Sequence, residues 1–416
     1  MLSAEKQKLL TQIDRGTPMG ELLRRYWFPV AASCELRRKP IKAVKLLGEQ
    51  LVLFRDASGR LGLLEERCPH RGTSLAYGLI DEEGLRCAYH GWKFDCSGSC
   101  LELPGEPPDT NLKHRVRARS YKVEELGGLI FAYLGPEPVP LLPRFDLFVW
   151  DNCLRDIGQA LLPCHWLQIM ENSVDPYHLE ALHGHHLTAI RRQKGEATPT
   201  HYTRRHEKIG FDLFPYGIVK RRVLEGNTEE DDDWKIGHPL IFPIMLRVGA
   251  GGQHRMQIRV PVDETHTQHY WYACYKPMDG SRQVVQEEVP LYDVPWLDEH
   301  GEHIVDTVDG QDIMACVSQG AVADRTREIL ASGDRGIALL RRLLFEQIER
   351  VQCGHDPLGV IRSTDGNQII ELPQERNKYG RGKAFLAESL AMGHARYSPL
   401  MAEILDLLGL DDGQGD

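Results

Sequence analysis

The chain has 416 residues, more than one hydrophobic core usually holds, so two domains are expected. Its 60 Asp and Glu against 50 Lys and Arg give a formal net charge of -10, which argues against a nucleic acid as a partner. Because the sequence shows neither a membrane-length apolar run nor a signal-peptide pattern at its start, we expect a cytoplasmic protein without a membrane partner.

The first third of the chain changes from helical to strand-like patterning. Residues 4–26 carry apolar side chains at helical spacing, and short apolar runs broken by turns follow as far as Gly135. A proline-rich linker begins there. The sequence therefore predicts a helical segment over 1–26, an all-β domain over 27–145 and a second domain over 146–416.

The second domain mixes helices and strands. Residues 166–183, 335–351 and 400–408 are predicted to be helical. Residues 253–261 and 266–275 alternate or run apolar around a short turn, which predicts an antiparallel hairpin. Strands that are grouped together and flanked by helices indicate the α+β class.

Ten cysteines are too few for a disulfide scaffold in a chain of this length, but two of them lie in matched segments. Each segment joins one cysteine, one histidine and a glycine that permits a tight turn, in Cys68-Pro-His70-Arg-Gly72 and Cys87-Ala-Tyr-His90-Gly91. Two thiolates and two imidazoles suit a [2Fe–2S] cluster in which two Cys hold one iron and two His hold the other. Zinc is the alternative, but its usual order is two cysteines followed by two histidines. Cys96 and Cys100 are expected to be ordinary thiols.

A second set of metal-binding residue types follows in Glu171-Asn-Ser-Val-Asp175-Pro-Tyr-His178-Leu-Glu-Ala-Leu-His183. Fe(II) sites that bind O₂ use two His and one carboxylate and leave the remaining positions open. Asp175 and His178 share a helical face, but His178 and His183 would be splayed by about 140° on a regular helix. We therefore expect the helix to bend or end near His183, with Gly184 as its terminator. Taken alone, Asp175 before Pro176 is equally well explained as a helix N-cap.

Both motifs resemble those of one enzyme family. The two Cys–His segments resemble the Rieske domain of ring-hydroxylating oxygenases, and the segment from 171 to 183 is similar to the mononuclear iron motif of those enzymes. Thr17-Pro-Met-Gly-Glu-Leu-Leu-Arg-Arg-Tyr-Trp-Phe-Pro and Glu102-Leu-Pro-Gly-Glu-Pro resemble the phthalate 4,5-dioxygenase group, which includes aromatic acid O-demethylases. The resemblance covers nearly the whole chain. It implies a catalytic α subunit with a Rieske domain over 27–145, a helix-grip catalytic domain over 146–416, and the 1–26 segment packed on the latter.

The resemblance also assigns the site residues. It implies cluster ligands at Cys68, His70, Cys87 and His90, and ligands of a mononuclear Fe(II) at His178 and His183. In the phthalate-dioxygenase branch the third ligand is a carboxylate that follows a glutamine in a later helix. The segment Val308-Asp-Gly-Gln311-Asp312 therefore gives Asp312, with Asp309 as its competitor. Asp175 is implied to bridge the two redox centres through a cluster histidine, His90 by motif position, of a neighbouring subunit.

The same resemblance implies the partners. Head-to-tail contact between subunits closes into a ring, so a homotrimer or a pair of stacked trimers is expected. The sequence contains no G-x-G-x-x-G dinucleotide motif. Electrons are therefore expected from a separate NAD(P)H-dependent reductase, with or without a ferredoxin.

O₂ and an aromatic, carboxylated small molecule are the expected substrates. Basic runs follow the iron motif, and a guanidinium in the pocket would hold a carboxylate through two hydrogen bonds. Arg191, Arg204 and Arg205 are the candidates, and at least one arginine of these runs or of Lys220-Arg-Arg is expected to reach the pocket. Solvated basic loops are the alternative explanation for most of them.

The expected function is O₂ activation at Fe(II), with electrons delivered through the Rieske cluster, to hydroxylate or O-demethylate the aromatic substrate. Dihydroxylation of the ring to a cis-diol, as in the phthalate type, is the alternative. The sequence does not choose between these outcomes, because the pose of the substrate decides them. A pure electron carrier needs only the Rieske half, so the second His/Asp motif argues against it. A zinc-dependent hydrolase would be distinguished by iron analysis.

Overall fold

The computed structural model describes residues 1–107, 110–196, 198, 202–278, 282–374 and 382–410. Three β-sheets, with helices around them, build this part of the chain. Two of the sheets lie within residues 27–145 and the third lies within 146–416. The domain boundaries at 26 and 145 stay a proposal. Among the described helices none is both long and apolar enough to cross a membrane.

The first sheet forms the body of the N-terminal half and has six strands in the order β1-β10-β9-β4-β3-β2. Ten strands are described in this half: β1 (Trp27–Ala32), β2 (Ile41–Leu46), β3 (Glu49–Arg55), β4 (Leu61–Glu65), β5 (Leu79–Asp81), β6 (Gly84–Arg86), β7 (Lys93–Phe94), β8 (Cys100–Glu102), β9 (Ser120–Leu126) and β10 (Leu129–Tyr133). The apolar run in β3 is buried on both faces. Leu51 and Leu53 join the main core, whereas Val52 and Phe54 pack beneath the second sheet. A continuous apolar run is the pattern of a strand that is covered on both sides.

The second sheet, β5-β6-β7-β8, is small and antiparallel. It shares a hydrophobic cluster with β3 to which Leu85, Phe94 and both motif cysteines, Cys68 and Cys87, contribute. The two Cys–His segments are anchored in this cluster through these cysteines. This core holds the two loops against each other.

The third sheet has eight strands in the order β12-β13-β14-β15-β16-β17-β11-β18. The strands are β11 (Leu154–Leu162), β12 (His206–Phe214), β13 (Gly217–Leu224), β14 (His238–Ile241), β15 (Met245–Ala250), β16 (Gln253–Pro261), β17 (Thr267–Tyr275) and β18 (Leu291–Asp293). Neighbouring strands are antiparallel except for the β11–β18 pair. The predicted hairpin is confirmed, because β16 pairs with β17 from Gln253 opposite Tyr275 to Pro261 opposite Thr267. The α+β class is likewise confirmed.

Twelve α-helices are described: α1 (Ala4–Thr11), α2 (Pro18–Leu23), α3 (Ser33–Arg38), α4 (Leu112–Arg115), α5 (Asp146–Val149), α6 (Trp166–Ser173), α7 (Leu187–Gln193), α8 (Asp232–Lys235), α9 (Val308–Val317), α10 (Arg335–Gln352), α11 (Gly382–Ala391) and α12 (Met401–Leu407). The longest, α10, matches the predicted 335–351 helix. Its stripe of Leu340, Leu344 and Ile348 is buried, at about 1.5–3 kcal/mol of stabilisation for each side chain. Both α1 and α2 pack on α10, so the N-terminal segment contacts the second half of the chain.

The prediction of one helix over 166–183 is wrong. Helix α6 ends at Ser173, a short irregular stretch follows, and a π-helix then runs over Leu179–His186 and continues directly into α7. Pro176 explains the interruption, since proline lacks the N–H that a continuing helix would need and pushes the residue before it out of helical geometry.

Contacts at the β16–β17 turn join the two halves of the chain. The Leu47 and Gly48 N–H groups donate to the carbonyls of Pro261 and Val262 at 3.0 and 2.9 Å. The Lys45 Nζ lies 2.6 Å from an Asp263 oxygen. Residues of both halves also share one hydrophobic core, so the six-stranded and eight-stranded sheets are held as one body.

Candidate metal centres

The two Cys–His loops have the same backbone hydrogen bonds. In the first loop the Cys68 N–H donates to the Thr73 carbonyl and the Gly72 N–H donates to the Cys68 carbonyl, both at 2.9 Å. The second loop repeats both bonds 19 residues further along (68 to 87, 72 to 91 and 73 to 92), at 2.8 and 3.0 Å. Gly72 and Gly91 both have a φ of +74°, which side-chain-bearing residues rarely adopt. Both glycines therefore have the role that the sequence predicts, which is to permit a tight turn in each loop.

The four side chains of these loops separate into a buried pair and an outer pair. Cys68 and Cys87 are 3% and 2% exposed, whereas His70 and His90 are partly exposed, with ring centroids 4.5 Å apart. The His70 ring also stacks on Trp92 at 4.2 Å. Burial, followed by the neighbouring Cys87, raises the pKa of the Cys68 thiol to about 11. A bound metal ion would deprotonate such a thiol.

These residues suit two irons better than one zinc. In the described part of the chain, the group whose ligand atoms all lie within 4.8 Å of one another is His178, His183 and Asp312. The two cysteines and two histidines of the loops are not drawn together around one point in this way. The Nδ1 of His70 is buried without a hydrogen-bond partner, as suits a ligand atom. Cys96 and Cys100 contact Asp56 and the Glu102 carbonyl, in agreement with their reading as ordinary thiols.

The π-helix brings His178 and His183 together. Hydrogen bonds in a π-helix run from residue i to residue i+5, so residues five apart come onto one side. His178 directly precedes this helix, and its ring centroid lies 5.2 Å from that of His183. The structure therefore has the wider turn of a π-helix at the place where a bend near His183 was expected. Gly184 is not a terminator, since the chain stays helical to Gln193.

Gly184 instead allows a close approach between two segments. A Cβ at this position would lie 2.6 Å from the Tyr202 carbonyl oxygen, below any normal contact distance. The absence of a side chain therefore lets the π-helix pack against the segment that contains Tyr202.

Asp312 completes a group of three potential ligands. It lies on α9, which packs against both α6 and the π-helix. Its Oδ1 is 3.2 Å from Nε2 of His183 and 3.6 Å from Nε2 of His178. Burial opposes charge on both His183 and Asp312, but each stabilises the other, so the pKa of His183 is raised and that of Asp312 is lowered. Two imidazoles and one carboxylate are the donor set of an O₂-binding Fe(II) site.

Neighbouring amides orient these ligands. The Nδ1 of His183 lies 3.0 Å from Oε1 of Gln311, so Nδ1–H donates to the amide and Nε2 is left for a metal. The Asn172 side-chain amide donates to Asp312 Oδ1 at 3.1 Å. Supporting hydrogen bonds of this kind contribute strongly to metal affinity.

The structure places Asp175 beside the histidine pair. Its Oδ2 lies 3.6 Å from Nδ1 of His178, and its Oδ1 accepts from the Tyr177 N–H at 2.9 Å. The carboxylate thus makes the turn contact of a cap and also faces the ring of a potential metal ligand.

Asp309 is not part of the three-residue group. Its Oδ2 accepts from the His394 backbone N–H at 2.6 Å, and its Oδ1 accepts from Trp271 Nε1 at 3.1 Å. These partners give Asp309 a packing role between α9 and the C-terminal segment, and Asp312 is the better candidate ligand.

A cavity opens beside the three candidate ligands. Its lining includes His178, His183 and Asp312, together with apolar residues from α9, α11 and the large sheet. Two basic side chains also line it, Lys220 on β13 and Arg255 on β16. Three strand intervals separate β13 from β16, which at about 4.8 Å each places their backbones about 14 Å apart.

The arginines singled out in the sequence lie outside the lining of this cavity. Arg191 faces the Asp306 carbonyl and Glu196, Arg204 donates to the Glu225 carbonyl, and Arg205 is exposed. Of the basic runs, Lys220 is the residue that lines the cavity.

Sequence reasoning missed Arg255 and its neighbours, although a signal was present. Gln253, Arg255, Gln257 and Arg259 occupy alternate positions of β16 and therefore share one face of the sheet. Polar residues at every second position of a strand whose intervening positions are mostly apolar indicate a buried polar face. That face lies beneath α9 and the candidate ligands.

Comparison with known families agrees with this arrangement. Residues 26–122 match the family described as the Rieske [2Fe-2S] domain. Residues 132–286 match the family described as the LigXa C-terminal domain like.

Two curated relatives and one solved structure extend the match. The 5,5'-dehydrodivanillate O-demethylase oxygenase subunit of Sphingobium sp. (strain NBRC 103272 / SYK-6) is 41% identical, over 90% of this chain and 87% of the relative. The phthalate 4,5-dioxygenase oxygenase subunit of Pseudomonas putida is 30% identical, over 86% of this chain and 89% of the relative. The oxygenase–ferredoxin complex of carbazole 1,9a-dioxygenase has the same fold, with a TM-score of 0.57 at 21% identity over 88% of this chain and 97% of that one.

The oxygenase subunits of this family carry a Rieske [2Fe–2S] cluster and a mononuclear iron at the catalytic site. Both donor sets are present here, two Cys and two His in paired loops and two His with one Asp beside a cavity. The chain therefore belongs to the Rieske non-haem iron oxygenases, as an oxygenase α subunit of the branch that contains phthalate 4,5-dioxygenase and 5,5'-dehydrodivanillate O-demethylase.

Proposed function

We propose that this oxygenase activates O₂ at an Fe(II) ion to hydroxylate or O-demethylate an aromatic carboxylate. The observation that carries the proposal is the group of His178, His183 and Asp312 in the wall of a cavity that two basic side chains also line. A cavity of this composition offers one place where a metal, O₂ and an anionic substrate can meet.

We propose that Cys68, His70, Cys87 and His90 hold the cluster, and that His178, His183 and Asp312 hold the Fe(II). When bound, the cluster supplies electrons one at a time and the Fe(II) supplies the place where O₂ is reduced. The protein's part is to fix the donors. Gln311 sets the tautomer of His183, and Asn172 holds the Asp312 oxygen that faces both histidines.

Asp175 is proposed to connect the two centres. Its Oδ2 lies near His178 Nδ1, which is buried and has no described hydrogen-bond partner. A second contact from this carboxylate to His90 of a neighbouring subunit would link the catalytic site of one subunit to the cluster of the next. We propose that head-to-tail contacts of this kind close into a ring of subunits, as a trimer or a pair of stacked trimers. Electrons would enter from a separate reductase or ferredoxin.

The positive charges of Arg255 and Lys220 in the cavity wall support the proposal that the substrate is an anion. A guanidinium binds a carboxylate through two parallel hydrogen bonds, and an ammonium binds it as a point charge. Lys220 already donates to the Ser173 carbonyl at 3.0 Å, so its charge is fixed near the helix that leads to the iron motif. The relatives named for phthalate and 5,5'-dehydrodivanillate are consistent with an aromatic acid.

Product analysis tests the proposal. Purified oxygenase, reduced by a compatible reductase, is given a panel of aromatic acids with and without O-methyl groups, and O₂ uptake, formaldehyde and ring products are measured. Formaldehyde released in proportion to O₂ consumed supports O-demethylation, and a phenol without formaldehyde supports hydroxylation. The similarity to phthalate 4,5-dioxygenase favours the alternative function, dihydroxylation of the aromatic ring. A cis-diol as the product would establish that function. If aromatic acids neither bind nor couple to O₂ uptake, the proposed substrate class is wrong.

A further inference from the structure

A small internal cavity adjoins the candidate iron site. Asp312, Asp309, Asn172 and Gln257 line both this cavity and the larger one, and the small cavity extends from them toward Ile313 and Cys316 in the interior. The proposed function does not involve this small cavity. Two basic side chains, Arg259 and His269, also line it.

Arg259 is a buried cation with incomplete hydrogen bonding. Its side chain is 2% exposed, and its described contacts are the Gln257 carbonyl at 3.4 Å, the Gln257 side-chain oxygen and Met170 Sδ at 4.0 Å. The Nε atom is buried and has no hydrogen-bond partner among the described residues. Burial lowers the pKa of Arg259 to about 10, so the group is still charged at neutral pH. A buried N–H of a charged group without an acceptor is strongly unfavourable.

His269 faces the same cavity and is also unpartnered. It is 4% exposed, and both ring nitrogens are buried without a described hydrogen-bond partner. Its ring is held by stacking on Trp271 at a centroid distance of 4.0 Å. Burial, followed by the charge of Arg259, keeps the pKa of His269 well below its usual range. The neutral ring therefore offers one donor and one acceptor.

We propose that this cavity is a built site for one buried water molecule that bridges Arg259, His269 and Asp312. The space suffices for about one water, and a buried water normally needs two to four polar partners, which these three residues provide. Asp309 and Asp312 in the wall disfavour an anion, and Arg259 disfavours a metal cation. A neutral molecule that both donates and accepts fits this mixed lining.

The bridge makes Arg259 and His269 positioning residues for Asp312. The described contacts of that carboxylate with His178, His183 and Asn172 all involve Oδ1. A water that donates to Oδ2 and accepts from Arg259 would fix the second oxygen and hence the orientation of the carboxylate. This consequence rests on the proposed function, because it assumes that Asp312 is a metal ligand.

The test combines a structure with a metal titration. A high-resolution crystal structure of the wild-type protein should show a water within hydrogen-bond distance of Arg259 Nε, a His269 nitrogen and Asp312 Oδ2. In His269→Phe the ring still stacks on Trp271, but the hydrogen bond to the water is lost and the larger ring reduces the space. Supporting hydrogen bonds change metal affinity by about 10- to 100-fold, so Fe(II) affinity at the mononuclear site should fall by that factor.

His394→Phe is the matched control. His394 is also buried and stacks on Trp271 at 5.9 Å, and its Nδ1 lies 3.6 Å from Asp309 Oδ2, but it does not itself line the small cavity. Because His394 does not line the cavity that would hold the water, Fe(II) affinity in His394→Phe should stay close to that of the wild type. Both variants should keep the Rieske absorption spectrum, which shows that they fold.

Two results would overturn the proposal: a cavity that holds no water in the wild-type crystal, or equal losses of Fe(II) affinity in both variants. Failure of the proposed function would look different. In that case the single substitution His178→Ala would leave Fe(II) binding unaffected, while the water could still be seen in the wild-type crystal.

Discussion

The two candidate metal centres are built in different ways. The Cys–His loops are contiguous segments with one shared backbone pattern, repeated at a spacing of 19 residues (68 to 87) and closed by a positive-φ glycine in each loop. The three-residue group has no such local unit. His178 and His183 depend on a π-helix, and Asp312 arrives on a helix more than 120 residues later. The first centre is specified by local sequence, and the second by the packing of α9 on α6 and the π-helix.

Loss of a cluster cysteine should give the largest effect. Since each iron of a [2Fe–2S] cluster depends on two protein ligands, Cys87→Ala is expected to abolish the cluster, its visible absorption and its EPR signal. Cys100→Ala is the control, since Cys100 is also buried but contacts the Glu102 carbonyl. A full cluster spectrum in Cys87→Ala would refute the assignment.

Removal of the third candidate iron ligand should break only the second centre. Asp312→Ala is expected to lose the mononuclear iron and with it turnover, because the Fe(II) site needs its carboxylate as well as its two histidines. The Rieske spectrum should be unchanged. Asp309→Asn keeps the shape of the side chain, loses an acceptor for the His394 or the Trp271 N–H, and leaves the three-residue group intact, so iron content should stay normal. Iron content and O₂ uptake, measured on both variants, decide between Asp312 and Asp309.

Replacement of Asp175 tests the connection between the centres. Asn caps a helix as well as Asp does, so Asp175→Asn should be mild if the residue is only a cap. If the carboxylate links the two centres, the variant should fold, assemble and hold both metals, yet turn over about 100-fold more slowly, in line with the loss of other buried supporting groups. Stopped-flow oxidation of the reduced cluster in the presence of O₂ and substrate measures the step directly. Near-normal rates would return Asp175 to the role of a cap.

Gly184→Ala tests the packing that shapes the π-helix. The new methyl group would meet the Tyr202 carbonyl oxygen at 2.6 Å, so backbone must shift. Overpacking of this kind costs about 1–3 kcal/mol, and we expect a lower melting temperature together with weaker Fe(II) binding. Ala189→Gly in α7 is the control, because it lowers helix stability by about 1 kcal/mol without a clash. A loss of iron affinity as large in Ala189→Gly would show that general destabilisation is the cause.

The sequence predicted what is local and missed what depends on packing. Cys68, His70, Cys87 and His90 could be found because their spacing is itself the motif. The five-residue spacing of His178 and His183 was recognised as incompatible with a regular helix, but the wider turn that accommodates it follows from tertiary contacts such as that of Gly184. The cavity residues were misjudged for the same reason. Basic residues near the motif in sequence point elsewhere. Arg255 comes from a strand whose alternation predicted the hairpin, but the polar face of that strand was not assigned to the cavity.

Arg255 therefore gives the smallest and most specific prediction. Its guanidinium lines the cavity, and its Nε is buried without a described hydrogen-bond partner. Arg255→Gln removes the charge but keeps much of the length, so KM for an aromatic carboxylate should rise about 10-fold, the equivalent of one charged hydrogen bond, with kcat little changed. The corresponding primary amide should be affected much less. Arg204→Gln, at a site outside the cavity, should leave KM unaltered. Equal KM for the acid in wild type and Arg255→Gln would show that Arg255 does not bind the substrate carboxylate, and Lys220→Met would then be tested by the same assay.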